Sequence, residues 1–252
     1  MHTGEGEAGD TTDSPHYGSQ RYKNVVAQTP PNGAWRELEE FAGALVDLYI
    51  LGVTCPIDRV QLGALRRDHR YMLDPVLSYA RPRHLILYDW QGLSESPATA
   101  FLAFQGRGGS RLESLRVDLW ALEEDADVDV AAIMESLMSS LAHAPLRSLS
   151  IDMSIDILDP QPDHSSHARM LREFLGSPSP PPVDPQDCPL LLVERSADEF
   201  DMADYVRRFA RLVPTLRQTT IRISGLRGGW RRVKLKDGEA MLEVAAHSPS
   251  RT

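Results

Sequence analysis

Leu112-Glu-Ser-Leu115-Arg-Val117-Asp-Leu119 returns later in the chain as Leu146-Arg-Ser-Leu149-Ser-Ile151-Asp-Met153, and this recurrence decides the fold. After an opening Leu, each copy alternates apolar and polar residues with period two, the pattern of a strand with one buried face. Each copy also leads into helical periodicity. Asp127 to His143 carries Val130, Ile133, Met134, Leu137, Met138 and Leu141 on one face, and Ser165 to Leu175 carries Met170, Leu171 and Phe174. A strand that recurs with a helix between copies is the mark of a stacked repeat, whose units bury their apolar faces only against their neighbours.

Fainter copies lie on both sides. Val60-x-Leu62 follows Pro56, Leu85-x-Leu87 follows Pro82, Leu190 to Val193 follows Pro189, and Leu216 to Ile223 follows Pro214. Between them the sequence predicts helices over Asp68 to Tyr79, Ser96 to Phe104 and Met202 to Val213. Trp35-x-x-Leu38-x-x-Phe41 is also apolar at helical intervals, and Ala44 to Leu51 predicts a helix stopped by Gly52. At the far end, Trp230 to Leu235 and Ala240 to Val244 flank Asp237-Gly238, the dipeptide of a tight hairpin turn. A terminal hairpin would cap the open end of a solenoid.

The expected organisation is a polar tail over residues 1–33, a repeat domain over 34–246 and a short tail over 247–252. Few large apolar groups occur in the first segment, so it is expected to be disordered, with a short edge strand at Tyr22 to Val26. Residues 177–187, Ser-Pro-Ser-Pro-Pro-Pro-Val-Asp-Pro-Gln-Asp, are expected to form an exposed loop because consecutive prolines continue neither helix nor sheet. The spacing is irregular: the interval from Leu112 to Leu146 exceeds the roughly 20–29 residues of regular leucine-rich repeats.

Composition narrows the classes of function. A net charge of −9 opposes general binding to a phosphate backbone, so no nucleic-acid partner is expected. Two cysteines, Cys55 and Cys188, cannot supply a disulfide framework, which favours a reducing compartment, cytoplasm or nucleus. No apolar run is long enough for a membrane helix and no secretory leader is evident, so no membrane association is expected.

Several phrases resemble the leucine-rich-repeat-like region of fungal F-box-type proteins. They are Trp35-x-x-Leu38, Leu48-Tyr49-x-Leu51-Gly52, Cys55-Pro56, Arg81-Pro-Arg-His84-Leu85, Arg207 to Arg217 and Gly229-Trp230-Arg-Arg-Val233. The likeness covers residues 35–245 and implies an irregular α/β horseshoe: a curved sheet of short strands, helices on its outer side, and a concave face that recruits proteins. It also implies no catalytic residue. The helical F-box segment with its Leu-Pro is not visible in this sequence, which argues against a ubiquitin-ligase adaptor as a partner. Trp120 and Ser154 stand where regular repeats carry Asn or Cys after the strand.

Other constellations point to structure more than to chemistry. Glu123 to Asp129 is rich in carboxylates, but an EF-hand loop begun at Asp125 would need Gly and Glu where Val130 and Ser136 stand. These acids suit a helix N-terminus instead. Asp163, His164 and His167 fall short of a zinc set, since neither cysteine is near in sequence. The glycine-rich Gly106 to Ser110 and Gly225 to Gly229 lack the Gly-Lys-Ser/Thr of a phosphate loop. No metal or cofactor is therefore expected. Arg222, Arg227, Arg231, Arg232, Lys234 and Lys236 form a basic cluster around Trp230, read as a solvated edge that discourages aggregation.

The expected function is thus a non-enzymatic protein-interaction scaffold of unknown partner. The residues assigned to its binding face are Tyr88, Arg116, Asp118, Trp120, Ser150, Asp152 and Arg222, with Arg227, Arg231, Arg232 and Lys234 as a basic edge. Each of the strand residues alternates with apolar positions and so faces away from the core. The alternative is a hydrolase or other enzyme whose site is assembled from residues far apart in sequence.

Overall fold

Strands that the recurring phrase marks lie side by side in chain order. The structure, a computed structural model, describes residues 15–28, 35–63, 65–93, 111–155, 189–225, 229–236 and 239–245. One open eight-stranded sheet runs β1 (Leu38–Ala44), β2 (Ile57–Gly63), β3 (His84–Gln91), β4 (Ser114–Trp120), β5 (Ser148–Ser154), β6 (Gln218–Gly225), β7 (Gly229–Lys236) and β8 (Glu239–Ala245). The pairs from β1 to β6 are parallel, and β6, β7 and β8 form an antiparallel meander.

This order has a geometric consequence. Parallel neighbours need a crossover, and crossovers are almost always right-handed. When strand order advances in one direction throughout, that handedness puts every connecting helix on the same face. The burial pattern agrees: Leu85, Leu87, Leu115, Val117, Leu119, Leu149, Ile151 and Met153 join one core with the helices. The residues that alternate with them, from Ile86 through Arg116 to Arg222, are half-buried or exposed. Parallel sheets are usually covered on both faces; here the described helices cover one.

The α-helices among the described residues are α1 (Pro15–Ala27), α2 (Leu45–Leu51), α3 (Leu73–Ala80), α4 (Val130–Leu141), α5 (Leu192–Glu199) and α6 (Met202–Leu212). Gly52 ends α2 at φ 61°, the left-handed conformation glycine adopts without penalty. Pro75 lies in the first turn of α3, where its missing N–H costs no helical bond. Asp129 caps α4 by accepting from the Ala131 amide at 2.9 Å, and Asp201 caps α6 by accepting from Asp204.

Three sequence expectations are corrected. Trp35-x-x-Leu38-x-x-Phe41 is not helical: Leu38 opens β1, in register with Ile57, and Phe41 lies opposite Val60. Pro189 to Val193 is not a strand, because Leu191 begins the turn into α5; β5 and β6 are direct neighbours. The tail expected over 1–33 contains α1 in place of disorder or an edge strand. Tyr17 packs against the core and Val25 is half-buried. Polar side chains also hold that helix: Arg21 donates to the Tyr49 carbonyl at 2.7 Å, Asn24 to Ile50 at 2.7 Å and Gln28 to Leu51 at 2.9 Å, satisfying the last carbonyls of α2. The helices expected over 96–104 and 165–175, the loop at 177–187 and the tail at 247–252 lie outside the described residues.

One irregularity shapes the open face. In β3, Leu87 pairs with Val117 but Trp90 pairs with Leu119, so Tyr88 and Asp89 together oppose a single residue of β4. Asp89 takes φ 53° to make this bulge. Trp90 thereby enters the core completely buried, while Tyr88 stays half-exposed and Asp89 exposed.

Candidate functional site

The in-register strands stack chemically related residues across the open face. Arg116, Ser150 and Thr220 form one row, continued by Lys234 on β7. Asp118, Asp152, Arg222, Arg232 and Glu243 form the next, and Trp120, Ser154, Ser224 and Trp230 the one beyond. Residues that were separate in sequence are therefore neighbours here.

Asp118 and Asp152 lie directly opposite on adjacent strands, an arrangement that repels unless cations intervene. Arg116 intervenes. Its Nε donates to Asp118 Oδ1 at 3.0 Å and its Nη2 to Oδ2 at 3.2 Å, a bidentate pair, and Nη2 also lies 3.9 Å from Asp152. Arg222 approaches Asp152 from the other side, Nη1 to Oδ1 at 3.5 Å. Burial pushes the Asp152 carboxyl above the usual range, opposed by the charge of Arg222 and reinforced by that of Asp118. The hydrogen bond to Asp118 raises the already high pKa of Arg116.

Aromatic rings complete the surface. The Arg116 guanidinium lies 5.7 Å from the Tyr88 ring centre, and those of Arg222 and Arg232 lie 5.5 Å and 5.3 Å from Trp230. Arg232 and Lys234 pair with Glu243 at 3.4 Å and 3.1 Å. A continuous series of charges and rings thus crosses the face from Tyr88 on β3 to Glu243 on β8. Exposed ion pairs add little stability. Their effect is to hold guanidinium planes and carboxylates at set positions, which suits recognition of a polar partner by hydrogen bonding and stacking.

Of the expected face, the structure brings Tyr88, Arg116, Asp118, Asp152 and Arg222 into contact through this network. Ser150 lies beside Arg116 in its row, and Trp120 is half-buried on the same side. The basic edge does not hold together. β7 is an interior strand, and β8 is the edge. Arg232 and Lys234 face the open side, whereas Arg231 points the other way and donates to the carbonyls of Ala197 and Asp198 at the end of α5. Arg227 lies outside the described residues. Sequence reading missed Glu243, although the hairpin register set by Asp237-Gly238 would have placed it opposite Arg232.

A second row of charges runs along the N-terminal ends of the strands. Arg83 binds Glu113 at 2.7 Å and lies 3.8 Å from Asp58, and Arg147 reaches Glu113 at 3.5 Å. The Arg83 hydrogen bond holds the Glu113 carboxyl below its usual range. At the opposite end Asp125, fully buried, accepts from the amides of Leu93 and Leu122, each at 2.8 Å. The acids of 123–129 therefore serve local structure: Asp125 clamps a turn and Asp129 caps α4.

Among the described residues no group of three or more His, Cys, Asp and Glu side chains is arranged to hold a metal ion, and no helix is long and apolar enough to cross a membrane. Asp163, His164 and His167 lie outside those residues. No protein family matches the chain, and no curated protein or solved structure shows significant similarity to it.

Proposed function

We propose that the chain is an irregular leucine-rich-repeat-like solenoid, and that its open sheet face is a non-enzymatic docking surface for another protein, as in the substrate receptors it resembles. Its expected site of action is the cytoplasm or nucleus. The observation that carries this reading is a sheet whose described helices lie on one side, while the other side bears the network from Tyr88 to Glu243. A register-fixed repeat supports it. Leu38, Ile57, Pro82, Leu112, Leu146 and Leu216 occupy one position in successive units, three residues before Phe41, Val60, Leu85, Leu115, Leu149 and Thr219. Stacked units of this kind present their strands as an extended recognition surface.

Site-directed photo-crosslinking tests the face. A photoreactive residue at Ser150, in the middle of the open side, should trap discrete partners in cell lysate. The same residue at His143, exposed after α4, should not. Equal crosslinking at both positions would sink the assignment.

A further inference from the structure

The free edge of the sheet points to a second copy of this chain. Among the described residues nothing pairs with the outer side of β8, which offers a row of backbone N–H and C=O groups. Edge strands of monomeric proteins are usually blunted by charged side chains, Lys above all, or by Pro, a bulge or brevity. β8 has no Lys, Pro or bulge, only Glu239 and Glu243: it reads Glu239-Ala-Met-Leu-Glu-Val-Ala245 and stays in unbroken register with β7 from end to end. It also exposes two large apolar side chains, Met241 at 48% and Leu242 at 63%. The other edge strand, β1, exposes none, since Leu38 and Phe41 are half-buried against the core.

We propose that β8 pairs antiparallel with β8 of a second copy about a two-fold axis through Leu242. A two-fold contact must be self-complementary, and charge selects the register. Centring on Leu242 sets Met241 opposite Glu243 and Glu239 opposite Ala245, so no carboxylate meets another and all seven residues of each strand are used. A shift to a centre at Met241 would set Glu239 against Glu243, a repulsive pair in each half. The axis is perpendicular to the sheet, so the two open faces lie on the same side and become one surface. Leu242, which shares the side of the buried Val233, meets its own counterpart on the helix side. The dimer does not depend on what the open face binds.

Light scattering on the full chain after size exclusion tests the pairing. The wild type should show twice the chain mass of 28.1 kDa, and hydrogen exchange should find the β8 amides protected. Leu242→Lys puts two ammonium groups on the axis and should give the single-chain mass with fast-exchanging β8 amides, and a cooperative melting temperature that, unlike that of the wild type, does not rise with protein concentration. Met241→Glu sets a carboxylate opposite Glu243 of the other copy while facing Lys234 within its own chain, so it should weaken the dimer several-fold and leave the fold intact, which also decides the question if Leu242→Lys fails to fold. A wild type that stays monomeric at its highest soluble concentration overturns the proposal. So does a dimer whose mass and β8 protection survive Leu242→Lys, or one that Met241→Glu does not weaken.

Discussion

Replacing Asp125 by alanine should be among the most damaging single changes on the polar side of the structure. Its Oδ2 receives two backbone amides at 2.8 Å, from Leu93 beyond β3 and from Leu122 beyond β4, and so ties together the exits of adjacent strands. The Leu93 amide is buried, and leaving it without an acceptor costs roughly 2 kcal/mol. The Leu122 amide is partly buried, so water recovers part of the loss and the cost there is about 1 kcal/mol. Asp125→Ala should therefore lower unfolding stability by about 3 kcal/mol, and Asp125→Asn, which retains an acceptor oxygen, by about 1 kcal/mol. Urea denaturation followed by circular dichroism would read both as shifts in midpoint at constant slope. A loss below about 1 kcal/mol for Asp125→Ala would refute the clamp.

Three other changes test separate parts of the structure. Thr219 is fully buried in the row of Leu149 and Leu235, and its hydroxyl has no hydrogen-bond partner among the described residues, so Thr219→Val should raise stability by about 1 kcal/mol in the same denaturation assay. Gly52→Ala would combine a left-handed backbone with a new Cβ only 2.8 Å from Val25 Cγ2 and 3.0 Å from the Arg21 carbonyl oxygen. It should loosen α1 and speed tryptic cleavage at Arg21 and Lys23, with the sheet intact. For Asp152, burial raises the folded-state pKa above the unfolded value, so the folded state disfavours the charged form and the carboxylate costs stability as pH rises through the folded pKa. Asp152→Asn should match wild type in acid and become relatively more stable towards neutral pH. A gain that instead grows on acidification would contradict the burial argument.

The sequence made the buried half of each unit legible and left much of its surroundings hidden. Leu112 to Leu119 and Leu146 to Met153 announce their strands because alternation of apolar residues reports directly on a one-sided sheet. The same unit at Leu38-x-x-Phe41 was hidden because Gly43 stands where the next large apolar residue belongs, so helical spacing from Trp35 looked equally good. Leu190 to Val193 misled for the opposite reason: a short apolar run carries no period, and Glu194, whose carboxylate accepts from the Leu191 amide, starts a helix there. α1 was illegible because it is held by polar caps on another helix, a tertiary effect. On the open face, alternation alone selected Arg116, Asp118, Asp152 and Arg222. The bulge at Asp89 and the part played by Glu243 needed the register.

The face centred on Arg116 and Asp118 is proposed to bind a partner without contributing to the fold. Its most direct test is quantitative capture from lysate by wild type and by the Arg116→Ala/Asp118→Ala double variant, side by side. Both side chains lie on the side of β4 away from the described helices, and the ion pair they form is exposed. The double variant should keep the wild-type melting temperature and lose the wild type's discrete partners. The same partners captured in the same amounts by a folded double variant would rule this face out as the docking surface.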